Sequence, residues 1–544
     1  MRAEELTVVI PTRERWPILR RTLDALAEQT VSGFEIVVVC DGEDQLPPDA
    51  LRAAHPEVRF LVESQMGPAA ARNRAVAATT RPLLLFLGDD MVPVHELVAR
   101  HLERHMREPE PRVAVLGEVF WHPEVDRGPL MHWLGFSDAQ FDFPALRATR
   151  PVDAGWGRFY SCNVSVKRPL LDAAGGFDPT FRFDYEDLDL AYRLNAEGMI
   201  LRWEPQAIAH HLHRHDPRSI ETRYRSRAVG ERLMAAKHPW FEPWFERRMR
   251  YHAAQRPVGP WWGWLALWTP RRPRRVRQAA ERRADRLYHQ RLAPAFLGAW
   301  EAEREHAELQ EYLGSDYHHE RLVHHRETVE HQLAEVGDEP TFYRRGDAYL
   351  YDLTAFAMSG VKDPYRALVA NLVPPGSRLL DYGCGIGSDG LRLLEGGYEV
   401  EFADFESPST RYLRWRLERR SLVAAVHNLD AEVPGGFALA YAFDVLEHVD
   451  DPFALLAALE ARAGIVVVNL LEDAAAGSAL HRDVPVRRIL AHARRQGLIH
   501  HRRHVGRSHL VAYRSAAGAL SSGGSSPGGP KYSMSRAGTP PATQ

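Results

Sequence analysis

The sequence has few cysteines, no long apolar run and almost no net charge, and each of these features excludes a class of protein. Its three cysteines, Cys40, Cys162 and Cys384, are far apart and form no CxxC pair. A disulfide framework and a cysteine zinc site are therefore excluded, and a reducing compartment is favoured. No apolar stretch reaches the roughly 18–20 residues that span a bilayer. The formal net charge of −3 gives no argument for a nucleic-acid partner.

The start of the chain is charged and leads directly into a strand-like run, so we expect no signal peptide. The apolar content of 45% and the charged content of 26% are ordinary for a globular protein. Together with the absence of an apolar span, these features predict a soluble, cytoplasmic protein.

The length and the patterning predict two α/β domains joined by a helical region. A chain of 544 residues exceeds what one hydrophobic core usually organises. Short β-rich runs alternate with helical patterns in residues 1–237 and again in 341–514, which predicts largely parallel sheets. Residues 238–340 are predicted to be a helical linker. Residues 515–544 are rich in Ser, Gly, Pro and Thr, so we expect a disordered tail.

The predicted linker has two interpretations, both open from the sequence. It is either a helical bridge whose arginines lie on a solvated face, or an aromatic and cationic patch that contacts a membrane surface. The second interpretation implies a peripheral protein at the inner face of the membrane. The relevant residues are the tryptophans Trp240, Trp244, Trp261, Trp262, Trp264 and Trp268 and the arginines Arg271, Arg272, Arg274, Arg275 and Arg277.

Polar residues follow the predicted strands of the first domain, and parallel sheets bind ligands at that edge. Thr12 follows the first strand, Asp41 the second, and Gly88-Asp89-Asp90 the third. Carboxylates in such positions can hold Mg²⁺ or Mn²⁺. A metal held there could neutralise the diphosphate that leaves when a sugar is transferred from a nucleotide diphosphate. Taken singly, an Asp after a strand is also a common helix cap.

In this order the motifs resemble glycosyltransferase family 2, which has the GT-A fold, over about residues 6–238. The resemblance implies a nucleotide-sugar-binding domain that uses a divalent metal, Mg²⁺ or Mn²⁺. It also implies transfer of the sugar, with inversion, to a glycan or small-molecule acceptor. The matching segments are VVIPTRER, VVVCDGED, GPAAARNRA, LLLFLGDDMVP, CNVSVKR and GGFDPTFRFDYEDLDLAYRL.

The resemblance also implies individual roles in this domain. Asp90 matches the last acidic residue of the family's DxD element and is expected to bind the metal. Gly88 departs from the pattern, because it stands where that element has its first Asp. Asp89 is expected to compensate. The residues expected at the nucleotide are Thr12, Asp41, Arg72 and Asp89.

A Glu-Asp pair and a histidine cluster complete the expected site. Asp187, beside Glu186, is predicted to be the base that activates the acceptor hydroxyl, since a helix start stabilises an ionised carboxylate. Family members often add a histidine metal ligand after this helix. Of His210, His211 and His213 we predict His211, with a solvated histidine cluster as the alternative.

A glycine-rich turn follows the first predicted strand of the second domain. Residues 379–387 read LLDYGCGIG, and glycines let a backbone turn tightly and approach a ligand. The dinucleotide fingerprint has its third glycine where this chain has Ser388, and no P-loop lysine follows. Asp404 follows the next strand, where an acidic side chain suits ribose hydroxyls.

With NLD at 428–430 and FDVLEHV at 443–449 in family order, this region resembles class I methyltransferases that use S-adenosylmethionine (SAM). The resemblance covers about residues 343–514 and implies a Rossmann-like fold. His448 is a candidate base, with a packing role as the alternative. The residues expected to bind SAM are Asp381, Gly383, Gly385, Gly387 and Asp404, with Asp430 near the adenine.

The leading hypothesis is a bifunctional enzyme of glycan or glycosylated natural-product assembly. One domain would add a sugar, and the other would methylate a hydroxyl of that sugar or its product. Two alternatives stay open. The methyltransferase acts on an unrelated substrate, or one domain is degenerate and serves as a binding module.

Overall fold

The computed structural model describes residues 2–42, 47–64, 66–125, 128–269, 272–472, 480–504 and 508–515. The chain divides into two compact units, Met1–Arg304 and Glu305–Gln544. The boundaries expected after residues 237 and 340 stay predictions. The expected disordered tail lies outside the described residues apart from Ser515, and so does Arg271 of the basic run.

A mixed β-sheet forms the centre of the first unit. Its strands are β1 Leu6–Thr12, β2 Glu35–Asp41, β3 Val58–Glu63, β4 Leu83–Leu87, β5 Met91–Pro93, β6 Val113–Trp121, β7 Asn163–Lys167 and β8 Ile200–His211. Within the described residues the strand order is β3-β2-β1-β4-β7-β6-β8-β5. β1 to β4 are mutually parallel where they pair, and β7 is antiparallel to β4. Every residue of β4 is buried, as expected for a strand covered on both faces.

Helices cover this sheet and continue beyond it. They are α1 Trp16–Ala27, α2 Asp49–Ala54, α3 Pro68–Ala77, α4 Leu97–Arg107, α5 Pro129–Phe136, α6 Phe143–Thr149, α7 Arg168–Ala173, α8 Glu186–Ala196, α9 Pro217–Lys237, α10 Trp244–Ala253, α11 Trp261–Trp268 and α12 Arg274–Leu313. Short 3₁₀ turns lie at Ala3–Glu5 and Trp156–Arg158.

The helical middle region predicted from the sequence is confirmed, and part of it packs within the first unit. Phe245 and Met249 of α10 share a hydrophobic cluster with Tyr288 and Phe296 of α12. Trp133 of α5 lies in the same cluster. Helix α10 therefore has a fixed place beside the helices that follow the sheet. No helix among the described residues is long and apolar enough to cross a membrane.

The second unit has its own sheet. Its strands are β9 Arg378–Tyr382, β10 Glu399–Asp404, β11 Val426–Asn428, β12 Phe437–Ala442, β13 Ala463–Leu471, β14 Leu498–Arg503 and β15 Ser508–Arg514. In the described residues the order is β11-β10-β9-β12-β13-β15-β14. β9 to β13 run parallel where they pair, and β15 is antiparallel to both neighbours. The order reverses at β9, and such a switch point is where open α/β sheets bind ligands.

The helices of the second unit surround this sheet. They are α13 His319–Val323, α14 His325–Val336, α15 Glu339–Arg345, α16 Ala348–Met358, α17 Asp363–Leu372, α18 Ser388–Glu395, α19 Pro408–Arg419, α20 Pro452–Glu460 and α21 Val486–Gln496. Further 3₁₀ turns lie at Gly314–Asp316 and Leu446–His448.

A buried ion-pair network fixes α19 in this unit. Arg416 is fully buried and donates to Glu305 at 2.7 Å and to Glu308 at 2.8 Å. It also donates to the backbone carbonyl of Ile386, at 2.9 Å, within the glycine-rich turn. Because a buried guanidinium must be paired to be tolerated, these contacts specify how α19 lies against the turn.

Candidate active sites

The polar residues predicted after β1, β2 and β4 lie at one edge of the first sheet. Thr12 is the last residue of β1, and its hydroxyl donates to Asp89 Oδ2 at 2.7 Å. Asp41 ends β2 and accepts from the backbone amides of Met66 and Gly67 at 2.8 and 3.1 Å. Asp41 thereby orders the residues that lead into α3, the helix that carries Arg72.

Arg15 joins the two carboxylates that follow β4, and the sequence analysis did not single it out. Its Nε lies 3.1 Å from Asp89 Oδ2 and its Nη1 lies 2.8 Å from Asp90 Oδ2. Burial and the charge of Asp90 raise the pKa of Asp89 to about 6, although Arg15 opposes the shift. The segment VVIPTRER contains two arginines, and its spacing did not distinguish Arg15 from Arg13.

Two histidines lie beside Asp90. His211 Nε2 is 3.3 Å and His213 Nδ1 is 3.4 Å from Asp90 Oδ2. The ligand atoms of the three residues all lie within 4.8 Å of one another. One carboxylate oxygen and two imidazole nitrogens form a donor set that fits a divalent metal. The structure therefore brings the predicted ligands Asp90 and His211 together and adds His213.

The third histidine of the cluster lies elsewhere. His210 packs edge-on against His122, with ring centroids 6.1 Å apart. Successive side chains of a strand point to opposite faces, which separates His210 from His211 at the end of β8. The ring of His211 is stacked on Trp121.

The charges around Asp90 control its ionisation. Burial by itself would raise the pKa of Asp90, but the neighbouring His211, His213 and Arg15 lower it well below its usual value. Asp90 is therefore ionised at neutral pH, as a metal ligand has to be.

Gly88, the departure from the family pattern, has a local explanation. A Cβ at this position would lie 3.0 Å from Asp90 Oδ1 and 3.2 Å from the Cγ of Met91. A longer side chain at 88 would therefore press on Asp90 in this arrangement. The glycine leaves space beside the carboxylate, and Asp89 supplies the second acidic group.

The predicted base lies at the first turn of α8, in an unusual backbone conformation. Asp184 and Tyr185, just before the helix, have φ values of 56° and 72°, a left-handed region that non-glycine residues rarely adopt. Such conformations cluster at functional sites. They place Glu186 and Asp187 side by side at the start of the helix.

Glu186 and Asp187 have different surroundings. Glu186 Oε1 accepts from Arg72 Nη1 at 3.0 Å, and both side chains are buried. Asp187 instead lines a cavity of about 560 Å³. Burial and the adjacent charge of Glu186 raise the pKa of Asp187 to about 7, against the opposing charge of Arg72. The nucleotide contact predicted for Arg72 stays a prediction.

The three glycines of the turn in the second unit all have positive φ values, which other residues rarely adopt. Their φ values are 73°, 53° and 72° at Gly383, Gly385 and Gly387. A Cβ at Gly383 would lie 2.6 Å from Val445, and one at Gly387 would lie 2.3 Å from Leu413. A side chain at either position would have to displace these methyl groups, and the positive φ disfavours any residue but glycine.

Two aspartates flank this turn. Asp404, at the end of β10, accepts from the backbone amides of Gly385 and Phe405, each at 2.7 Å. Asp381 is buried, and burial together with the charge of Asp389 raises its pKa to about 8. Its Oδ2 has no hydrogen-bond partner among the described residues. The structure therefore brings Asp381, Asp404 and the glycines together.

Asp430 has different surroundings. It is largely exposed and forms a bidentate ion pair with Arg344, with both distances at 2.8 Å. Its expected place near the adenine stays a prediction.

The FDVLEHV segment contains a carboxylate that the sequence analysis overlooked. Glu447 is buried, and burial and the charge of Asp444 raise its pKa to about 8. Its neighbour His448 places Nδ1 at 2.8 Å from the hydroxyl of Tyr343. Burial and the neighbouring His481 lower the pKa of His448 to about 4. These contacts favour the packing role for His448.

Each unit contains a segment that matches a known family. The model described as glycosyl transferase family 2 matches residues 7–163, and a methyltransferase domain model matches residues 358–509. The chain carries a family 2 glycosyltransferase domain and a methyltransferase domain. The two families and the fold expected from the sequence are thereby confirmed.

Curated proteins similar to this chain include glycosyltransferases. Validoxylamine A glucosyltransferase of Streptomyces hygroscopicus subsp. jinggangensis is 31% identical over 225 residues, which cover 36% of this chain and 52% of that protein. The pre-mycofactocin glycosyltransferase of Mycobacterium tuberculosis H37Rv is 29% identical over 241 residues, 43% of this chain and 48% of that protein. The chain thus spans about half the length of these relatives.

Two solved structures are similar to parts of this chain. A Pyrobaculum calidifontis mannosyltransferase in complex with GDP-Man and Mn2+ has a TM-score of 0.34 at 20% identity, covering 52% of this chain and 86% of that chain. The Synechocystis magnesium protoporphyrin IX methyltransferase with bound SAH has a TM-score of 0.27 at 17% identity, covering 30% and 85%.

The histidine arrangement predicts a difference between neighbouring variants. His211→Ala should weaken binding of Mn²⁺ to the full chain by at least about tenfold, because even the loss of an outer partner of a ligand costs that much. His210→Ala, whose ring lies against His122, is the matched control and should bind as the wild type does. Electron paramagnetic resonance of free Mn²⁺ measures both. Equal affinities in the two variants would remove His211 from the site.

Proposed function

We propose that this chain is a bifunctional transferase. Its first domain transfers a sugar from a nucleotide-sugar to an acceptor hydroxyl with inversion and with a divalent metal. Its second domain transfers a methyl group from SAM to a hydroxyl of the glycan or glycosylated product. The observation that carries the proposal is the pairing, in one domain, of the Asp90 cluster with a carboxylate of raised pKa at a cavity. The alternative is that the methyltransferase acts on an unrelated substrate.

The sugar-transfer step follows from the position of Asp187. The acceptor oxygen forms a bond to the anomeric carbon from the face opposite the leaving diphosphate, while the bond from that carbon to the phosphate oxygen breaks. The hydroxyl proton passes to the carboxylate of Asp187. A carboxyl group with a pKa of about 7 is well matched to this role, because a base is most effective near the working pH.

The donor side of the site uses the residues at the edge of the sheet. We assign the nucleotide contacts to Thr12, Asp41 and Asp89, with Arg15 holding Asp89 and Asp90 in place. A divalent metal held by Asp90, His211 and His213 would act as a Lewis acid toward the diphosphate. The two imidazoles favour Mn²⁺ over Mg²⁺, which prefers oxygen ligands.

The methyl-transfer step depends mainly on positioning. SAM supplies an electrophilic methyl group, and the acceptor oxygen displaces the sulfonium sulfur from it. We propose that Asp404 accepts hydrogen bonds from the ribose hydroxyls of SAM. Gly383, Gly385 and Gly387 would let the backbone of the turn approach SAM closely. Asp381 would lie beside the charged end of the ligand. An oxygen acceptor also needs a base, and we propose the buried Glu447 rather than His448, because Nδ1 of His448 is engaged by the hydroxyl of Tyr343.

The role of Asp187 predicts a change in rate and in pH dependence. Asp187→Asn should lower kcat for nucleoside diphosphate release by roughly 10²–10⁴-fold, since it removes the base. In the wild type kcat should rise as the pH passes about 7, because Asp187 must be ionised to accept a proton. UDP-glucose and GDP-mannose with Mn²⁺ are suitable donors for the assay. Glu197→Gln, at the exposed other end of α8, is the control. An unchanged kcat in Asp187→Asn would refute the assignment.

The second site predicts a loss of affinity for SAM. Asp404→Ala removes hydrogen bonds of a charged acceptor, each contributing about 1.5–3 kcal/mol. The dissociation constant of SAM should therefore rise at least roughly tenfold, measured by isothermal titration calorimetry on the full chain. Glu406→Gln alters an exposed carboxylate two residues away and should leave affinity unchanged. If both variants bind like the wild type, Asp404 is not a ligand.

We further propose that the first unit binds an anionic membrane surface through α11. The exposed fractions of Trp261, Trp264, Leu265 and Trp268 are 56, 57, 37 and 75%. Their spacing of three, four and seven residues places them on one side of the helix. The fully buried residues of the helix are small, Gly263 and Ala266, and Trp262 is partly buried against the same cluster.

Helix α11 thus exposes three of its four tryptophans, whereas a helix that faces water usually buries its large apolar side chains. Exposed arginines follow directly, Arg272 before α12 and Arg274 and Arg275 at its start. Apolar and cationic side chains together are typical of a surface that inserts among anionic lipid head groups.

Vesicle sedimentation tests this surface. The full chain should bind vesicles that contain phosphatidylglycerol, and salt should weaken the binding. The triple variant of Trp261, Trp264 and Trp268 to Ala should bind roughly tenfold or more weakly, because burial of each large apolar side chain contributes about 1.5–3 kcal/mol. Tyr251→Ala, an exposed aromatic of α10, is the control. Binding that is equal for all three proteins would refute the proposal.

A further inference from the structure

The cavity beside Asp187 has walls from several parts of the first unit. Its volume of about 560 Å³ is in the range of small-molecule sites. One wall comes from residues 138–142, a second from residues 155–160 and the start of α8, and a third from α9 and α10. Trp244, Phe245 and Arg248 of α10 lie well beyond residues 7–163, which the family model matches. The shape and chemistry of this cavity therefore depend on the Trp- and Arg-rich segment.

The charges that line the cavity are balanced. The lining includes four arginines and four aspartates. Arg248 donates to both carboxylate oxygens of Asp138 at 2.8 Å, and Arg158 Nε donates to Asp142 at 3.0 Å. Arg223 and Arg227 both face Asp184. Among the described residues of the lining, each arginine therefore has an aspartate within 3.7 Å, with Asp184 shared by Arg223 and Arg227.

Paired arginines and aspartates do suit hydroxyl groups. A hydroxyl accepts a hydrogen bond from a guanidinium and donates one to a carboxylate, so it can bridge such a pair without any change in charge. Gln140 adds a further donor and acceptor. Both of its amide atoms are buried and have no hydrogen-bond partner among the described residues. A buried amide without a partner is costly, and a ligand hydroxyl would satisfy it.

An aromatic surface completes the cavity. Trp244, at the start of α10, lines it with 41% of its surface exposed, and Trp156 and Tyr185 line it as well. The negative face of an aromatic ring attracts the weakly positive C–H groups on the face of a saturated ring. A ring that carries several hydroxyls has both features, apolar faces and polar edges.

We propose that this cavity is the acceptor subsite and that it binds an uncharged, polyhydroxylated ring of the sugar type. The ring would stack on Trp244, with hydroxyls bridging the arginine–aspartate pairs and Gln140, and one hydroxyl directed to Asp187. This inference rests on the proposed role of the first domain as a glycosyltransferase. It gives α10 a function in acceptor specificity.

Binding of simple ring probes to the full chain tests the proposal. Saturation-transfer NMR with methyl glucoside, methyl mannoside and methyl rhamnoside as neutral probes, and with glucuronate and glucose 6-phosphate as anionic probes, gives the dissociation constants. At least one neutral probe should bind more tightly than its anionic counterpart. Trp244→Ala should weaken that binding roughly five- to tenfold through loss of ring stacking. Tyr251→Ala removes an exposed aromatic of the same helix outside the lining and should bind as the wild type does.

A second variant tests the charge balance directly. Asp138→Asn leaves Arg248 without its carboxylate partner and gives the cavity a net positive charge. The affinity for glucuronate relative to methyl glucoside should then rise up to about fivefold, as expected for a partly exposed ion pair. An unchanged ratio would overturn the assignment of neutral acceptors, and so would tighter binding of the anionic probes by the wild type.

Hydrolysis of the donor by the wild-type chain separates the two proposals. If UDP-glucose or GDP-mannose is hydrolysed with Mn²⁺ but no neutral ring binds in a manner that depends on Trp244, the acceptor inference is wrong and the glycosyltransferase assignment stands. If no nucleotide-sugar is bound or hydrolysed, the proposed function of the first domain fails, and this inference fails with it.

Discussion

The buried ion pair between Arg72 and Glu186 is the contact on which the first site depends. It joins α3 to the first turn of α8. Asp41 in turn holds the residues that lead into α3. Because Glu186 is engaged by Arg72, its neighbour Asp187 is the carboxylate that faces the cavity. The same pair also affects ionisation, since the charge of Glu186 raises the pKa of Asp187 and Arg72 opposes that shift. A carboxyl group with a pKa near neutrality thus follows from two adjacent acidic residues with unequal partners.

The carboxylates at the end of β4 likewise have unequal partners. Asp89 and Asp90 are both buried, and two adjacent buried carboxylates would repel each other strongly without cations. Arg15 contacts both, and the two histidines face Asp90 alone. The pKa of Asp89 is therefore raised while that of Asp90 is lowered. Asp90 is therefore the carboxylate of the pair that is ionised at neutral pH, and Gly88 leaves space beside it.

The second site depends on packing more than on charge pairs. Side chains of Val445 and Leu413 close on the glycine turn so tightly that no Cβ fits at Gly383 or Gly387. Asp404 then holds the turn through the amide of Gly385. The buried Arg416 holds the turn from the other side through the carbonyl of Ile386. These contacts on both sides specify the backbone conformation of the turn.

Local sequence patterns were sufficient for the fold class, the helical middle region and the carboxylates that end strands. A buried strand followed by Asp or by a glycine turn is specified by a few consecutive residues, so Asp41, Asp90, Asp404 and the glycines could be read directly. The partners of these residues could not be predicted from the sequence. Arg15 lies 74 residues from Asp89 and His213 lies 123 residues from Asp90 along the chain, and no periodicity connects them.

Likewise, the linker tryptophans were visible in the sequence, but only packing separated Trp244, which lines a cavity, from Trp264 and Trp268, which face solvent. The reason is physical: hydrogen bonds along a strand or turn are set by neighbours in sequence, whereas burial, ion pairing and pKa are set by neighbours in space.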